Sequence, residues 1–489
     1  MRNPGRRRRM APPPPRGPMG GPSALTYDQA QQLLASAATA RPLAGGFSPT
    51  TVGTGLRSLA AVLGVFLSYA VLRIHELYPV LASIPRLPML MAVAIGLGVV
   101  VGTPLTGWLA IWELVPPVRW EVLLVLLGFL TAPFGIWMAG SLNTFFFTYS
   151  ISVVVFAATV VLLRDRVALA TTLRILLVTT LVISLYSLSD AAATINGTDR
   201  IKLGVSLDPN DLAMILVAMV PLGIWMAQRK GGRSLGWTIA AALAVLAVVP
   251  TQSRGAILGL GAVAVTLIAL GASGWKRTIY IVGIAAAAIA IFALASASGA
   301  DRLTDFSDYS GGESRTAIWK RGLVWMTWRP WGYGLDNFPI FFGWMNGNER
   351  AAHNSFIEVG VEFGVLGLLA YVMLWYQTAK RLLAQRRHAL SLRTRVPGAE
   401  REASLAALVL ASMAGTVVTG FFLSKGYAGI TMFVQGLGIA VLLGYPYRQA
   451  MTAHAPAQTA APAIPPGRHP RAATGFEMPP VAPIGRRGR

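Results

Sequence analysis

Long apolar runs, one after another, limit what this chain can fold into. "ILLVTTLVISLYSL" (175–188) and "LAMILVAMVPLGIWMA" (212–227) are two of many such stretches. With 54% of residues hydrophobic and only 13% charged, the chain lacks the polar surface a soluble protein needs. The runs are long enough for membrane-spanning helices. They are continuous and lack strict alternation, which excludes a transmembrane β-barrel. The expected fold class is an all-α polytopic membrane protein with about twelve transmembrane helices. The spans are expected near 56–72, 88–106, 119–138, 142–163, 167–189, 210–227, 235–250, 255–272, 278–296, 354–378, 404–423 and 428–446. No cysteine is present, so neither a disulfide nor a thiolate site enters the reading.

The net charge of +22 raises the question of nucleic acid, and its placement answers it. Arg2, Arg6 to Arg9 and Arg16 crowd one end, and Arg448, Arg468, Arg471, Arg486, Arg487 and Arg489 the other. Most remaining bases fill short loops between apolar runs, the mark of positive-inside topology, and basic tails suit anionic lipid headgroups. Membrane lipids, not nucleic acid, are the expected partners of this charge. "MRNPGRRRRMAPPPPRGPMGGP" follows its arginines with Pro and Gly rather than an apolar core, so it reads as a disordered tail and not a secretion signal.

If the N-terminal tail is cytoplasmic, alternate loops should be basic. "RDR" (164–166), "QRKGGR" (228–233), "WKR" (275–277) and the segment 380–402 are, which makes both termini cytoplasmic. The expected organisation is a basic tail over 1–55, spans one to nine over 56–296, a large extracytoplasmic loop over 297–353, spans ten to twelve over 354–446, and a second basic tail over 447–489. The opposite face then carries 73–87, 190–209, "TQSRG" (251–255), 297–353 and "SKGYAG" (424–429). The long loop holds six acids and six bases, a zero balance within a strongly basic chain. In it, "RTAIWKRGLVWMTW" predicts a helix whose apolar face is Ile318, Leu323, Val324 and Trp328, ended by Arg329-Pro330. Its dense aromatics suit the membrane interface.

Four stretches, in order and on one face, resemble the O-antigen ligase and polymerase-related membrane glycosyltransferases: "DPNDLAMILVAMVPL" (208–222), "TQSRGAILGL" (251–260), "ESRTAIWKRGLVWMTWRPWGYGLDNF" (313–338) and "AHNSFIEVGVEFGVLGLLAY" (352–371). The resemblance covers roughly Ile201 to Tyr376. It implies a GT-C-like scaffold, a metal-independent transfer and no cofactor. It also implies an undecaprenyl-diphosphate-linked glycan as donor on the periplasmic face of the bacterial inner membrane. The implied acceptor is the lipid A core in ligases, a growing glycan in polymerases, or a protein in some relatives.

That chemistry calls for particular residues. A departing lipid diphosphate gains negative charge as its bond to the sugar breaks, and fixed guanidinium groups stabilise it there. By position in the matching motifs, Arg254 and Arg315 take this role, with Lys320 and Arg321 as further contributors. The structural alternatives are an interfacial anchor for Arg254 and a surface ion pair for Arg315. His353 suits general-base work on the acceptor hydroxyl, or donation to a diphosphate oxygen; its alternative is a polar residue at a helix entrance. The implied substrate contacts extend to Asn210, Asp211, Asn354 and Glu358. Against these stand helix capping for Asp208, Asn354 or Ser355, a first-turn acid for Asp211, and an ion pair for Glu358, which shares a helix face with Glu362. Asp301, Asp305 and Asp308 are too loosely spaced to argue for a metal. A transporter for a lipid-linked substrate is the reading from another class. It predicts interrupted helices and mid-membrane charges in repeated halves, whereas the polar residues here gather on one face.

Overall fold

The computed structural model describes residues 50–78, 86–193, 208–229, 234–271 and 314–446, with a few isolated positions besides. Both tails (1–47 and 447–489), most of the expected ninth span and the loop up to residue 313 lie outside them, and so do Asp301, Asp305 and Asp308. Among the described residues the elements are helical: α1 Thr54–Ala70, α2 Leu87–Gly102, α3 Leu105–Leu114, α4 Val118–Thr131, α5 Met138–Leu162, α6 Arg166–Ala193, α7 Pro209–Ala227, α8 Ser234–Val248, α9 Arg254–Ala269, α10 Arg315–Trp328, α11 Phe338–Asn346, α12 Ser355–Glu362, α13 Gly364–Ser391, α14 Ala399–Gly420 and α15 Gly429–Leu443.

Five of these segments are long and apolar enough to cross a membrane, six if α2 and α3 count as one bent span. The chain is a multi-pass membrane protein. Several expected spans differ in detail. The run 88–106 does not continue straight: Thr103-Pro104 breaks it, and α3 leaves α2 at 91°. Proline lacks the N–H that would carry the helix on. The run 354–378 is divided at Phe363–Gly364, and its second part, α13, continues to Ser391, into the segment read as a basic loop. At about 1.5 Å per residue such a helix outruns the hydrocarbon layer.

Among the helices long enough to cross a membrane, α7 and α14 are the most enclosed, and they pack on each other and on α9. Close approach there rests on small residues, as expected where lipid and side chain are equally apolar. A Cβ on Gly259 would lie 2.5 Å from Thr419 Cγ2, and one on Gly415 2.8 Å from Val217 Cγ1. Ser412 Oγ adds a bond to the carbonyl of Ala218 at 2.8 Å.

The two ends of the bundle differ in chemistry. At one end α6 and α14 start and α15 finishes. Asp165 accepts from Val167 N and Ala168 N at 2.8 and 3.1 Å and meets Arg57 at 2.7 Å, while Arg166 grips Glu402 through two bonds of 3.1 and 2.8 Å. At the other end α7, α9, α12 and α15 start and α14 finishes.

Residues 314–352 fold onto that second end around a small aromatic core. Trp325, Tyr333, Phe338, Phe341 and Phe342 gather there with Ile318, Ile357 and Val361. Helix α10 forms as predicted, capped by Ser314 and ended at Arg329. Its buried face is Ile318, Gly322, Trp325 and Met326, however, while Leu323, Val324 and Trp328 are exposed. Gly322 decides this, because a Cβ there would fall 2.4 Å from Ile357 Cγ2; only the glycine face can seat against α12. The turn 330–334 runs beside the α12–α13 break: Tyr333 N and Gly334 N donate to Val361 O and Glu362 O at 2.9 and 3.0 Å, and Val365 N donates to Pro330 O at 2.8 Å. Gly332 and Gly334 both have positive φ, as the turn requires.

Candidate active site

The connection between α14 and α15, residues 421–428, is the piece that draws the candidate residues together. Phe422 packs against the first turn of α9, where a Cβ on Gly255 would lie 3.0 Å from Phe422 Cβ. Its ring also faces Trp319 of α10 at 6.4 Å, and Trp319 Nε1 donates to Ala352 O at 3.0 Å. Next along the strap, Ser424 Oγ accepts from the His353 backbone N–H at 2.9 Å. Ser355 Oγ donates to Leu423 O at 2.7 Å and accepts from Lys425 N at 3.0 Å. Gly426 N donates to Glu358 Oε2 at 2.9 Å, and Tyr427 OH to Glu362 Oε2 at 2.8 Å. Lys425 Nζ completes the set with an ion pair to Asp211 Oδ2 at 2.8 Å.

One short strap therefore touches the start of the helix that begins at Arg254, the first turns of the helix that begins at Arg315, His353 itself, and the start of α7. Arg254 and Arg315 are each the first residue of their helix, and both are half-buried. Helix starts carry partial positive charge, so a basic residue there opposes the dipole by about 0.3–1 kcal/mol. Both guanidinium groups are thus carried on helix starts whose N–H groups already point outward. Such an end suits an anion.

His353 is half-buried and sits just before the cap of α12, with φ 48°. Asn354 is that cap: its Oδ1 accepts from Phe356 N at 2.9 Å and Ile357 N at 3.1 Å, and the residue is buried. The structural role weighed for it is present, and that oxygen is committed to the helix. Glu358 and Glu362 are both buried, and each accepts from the strap; Glu362 Oε1 also accepts from Phe338 N at 3.2 Å. On α7, Asp208 caps as predicted by accepting from Asn210 N at 2.5 Å, Asn210 is half-buried, and Asp211 carries Lys425.

Lys320 and Arg321 turn elsewhere. Arg321 Nη1 donates to Asn346 Oδ1 at 2.5 Å, and its guanidinium lies 5.6 Å from the Phe342 ring centre. Together with Trp325, Trp328, Met345 and Asn346 they line a separate groove of about 300 Å³ between α10 and α11. Among the described residues no cluster of three or more His, Asp or Glu is arranged to hold a metal ion.

Sequence reasoning missed the strap as a site element. It noted "SKGYAG" only as an outer turn, although Lys425 is one of few cations in the short connections of that face. Ser424 and Tyr427 gave no sequence signal, and Ser355 only that of a candidate helix cap, since their roles depend on contacts about 70 residues apart.

Residues 239–372 match the family model described as O-antigen ligase. That stretch contains Arg254, Arg315, Lys320, Arg321, His353, Asn354 and Glu358, and it stops short of the strap. No curated protein matches the chain.

Proposed function

We propose that this chain, which matches the O-antigen ligase family model over residues 239–372, is a member of that family and transfers a glycan from an undecaprenyl-diphosphate carrier to an acceptor hydroxyl, with the lipid A core as the favoured acceptor. The observation that carries the reading is the strap: it touches His353 and the helices that begin at Arg254 and Arg315. The basic residues near the opposite end of the bundle, among them Arg164, Arg166, Arg229 and Arg401, support a cytoplasmic assignment for that end and a periplasmic one for the strap.

In this reading the acceptor oxygen attacks the anomeric carbon and the bond from that carbon to the phosphate oxygen breaks. The diphosphate leaves with the electron pair. Arg254 and Arg315 stabilise its growing charge, helped by the starts of α9 and α10. His353 takes the hydroxyl proton as the new bond forms. The transfer as written calls on neither metal nor cofactor. Glu358 and Glu362 hold the strap, and through Ser424 the His353 backbone, in position.

The test is a deletion strain examined for lipopolysaccharide banding, complemented with wild type or with a His353→Ala, Arg315→Ala double variant confirmed in the membrane. Loss of long chains with core retained, restored by wild type and not by the variant, is the expected result. Core carrying a single repeat identifies a repeat-unit polymerase instead, and an unchanged pattern directs the search to protein acceptors. Full complementation by the double variant removes the site assignment.

A further inference from the structure

We infer that Lys425 is a third cation for the donor diphosphate, held aside by Asp211 until the anion arrives; this rests on the glycosyl-transfer reading above. The motifs that drew attention to Arg254 and Arg315 do not include it, and it lies beyond the family-matched stretch.

The backbone of Lys425 is fixed on both sides. Its N–H donates to Ser355 Oγ at 3.0 Å and its carbonyl accepts from Thr431 Oγ1 at 2.6 Å. Its neighbours are fixed too, Ser424 by His353 N and Gly426 by Glu358. The strap is thus secured by hydrogen bonds that do not involve the lysine side chain, and the Lys425–Asp211 pair is not needed to hold it. The side chains of that pair are unequal: Lys425 is 33% exposed and Asp211 only 11%. The acid is the fixed partner and the ammonium is the open one. Four rotatable carbons let an ammonium move several ångströms while its backbone stays still, which a planar guanidinium in a fork does less readily. Lys425 follows directly on the serine whose hydroxyl accepts from the His353 backbone. Asp211 is then a positioning residue rather than a contact to the sugar.

The experiment uses the full chain in nanodiscs and a short isoprenyl diphosphate, with the matching monophosphate as control. The wild type should prefer the diphosphate. Lys425→Met should weaken diphosphate binding about tenfold, the scale of one charge-assisted contact, and monophosphate binding less. Asp211→Asn breaks the same ion pair but leaves the cation, so it should keep diphosphate affinity within about twofold of wild type. Equal losses in the two variants would mean that the pair is only structural and would overturn the inference. A second readout needs no variant: the diphosphate should protect Lys425 of the wild type from amine acylation, read by mass spectrometry, and absence of protection is equally fatal. A wild type that does not distinguish diphosphate from monophosphate defeats the donor reading itself. A wild type that does, beside an unaffected Lys425→Met, defeats only the lysine.

Discussion

His353 and Ser424, 71 residues apart in the chain, are joined by a 2.9 Å hydrogen bond from the backbone N–H of the first to the hydroxyl of the second. The bond is made by the backbone, and His353 has a left-handed conformation with φ 48°. Substitutions can test its backbone and its side chain separately. Asparagine adopts the left-handed region readily, whereas alanine there costs about 1–2 kcal/mol. His353→Asn should keep the wild-type melting temperature and lose glycan transfer, while His353→Ala should lose both stability and transfer. Melting curves and product gels on the same preparations decide it. Transfer retained by His353→Asn would show that the ring is not the base.

Glu362 gives a prediction about stability alone. It is 1% exposed and accepts from Phe338 N and Tyr427 OH. Alanine strands both donors, at about 1–3 kcal/mol for each buried group left unpaired. Glutamine keeps a carbonyl for Phe338 N and an amide toward which the Tyr427 hydroxyl can turn as acceptor. Chemical unfolding should rank wild type, Glu362→Gln and Glu362→Ala in descending midpoint, and a glutamine variant as weak as alanine would refute the bond account.

Gly322 sets the seat of α10 on α12. Gly322→Val should destabilise by about 1–3 kcal/mol through overpacking against Ile357, whose Cγ2 already lies 2.4 Å from where a Cβ would stand. Adding Ile357→Ala should recover part of that loss. A double variant no better than the sum of its singles would mean that the two side chains do not meet.

Asp336 supplies a dependence on pH. Loss of solvent around its carboxyl raises its pKa, Thr144 opposes the rise by hydrogen bonding, and Glu349 adds to it by repulsion. A carboxyl whose folded pKa lies above its unfolded value is unfavourable to folding at neutral pH, and the disadvantage fades as pH falls toward the unfolded value. Asp336→Asn should therefore raise the melting temperature slightly at pH 7 and lose that advantage near pH 4. Asparagine also tolerates the positive φ of 58° there. An advantage that grows on acidification would contradict the assignment.

How far the sequence led depends on which residues are asked about. Hydropathy located α6 and α7 within a few residues, and the Asp208-Pro209 start of α7 was legible because capping is local chemistry. Arg329-Pro330 ended α10 for the same reason. Hydropathy carries no direction, so the 91° turn after Gly102 was invisible. The break at Phe363–Gly364 was hidden as well, because its cause is the turn 330–334 crowding Gly364, where a Cβ would fall 2.4 Å from Pro330 O. On α10 apolar residues occur on more than one side, and only a glycine that touches a distant isoleucine selects the buried one. Within the candidate site, Arg254, Arg315 and His353 stood out by motif. The connection they share became visible only once the chain was folded.

That connection follows α14, so the ribosome makes it after Asp211, Arg254, Arg315 and His353. A nascent chain that has emerged as far as Gly420 already carries Arg254, Arg315, His353, Asp211 and both buried glutamates, but none of the atoms that tie them. Translation of Phe422 through Tyr427 supplies those ties in one step, just before α15. Joining of the site thus waits for synthesis of this one segment, and a product truncated after α14 would carry its reactive groups without the clasp that joins them.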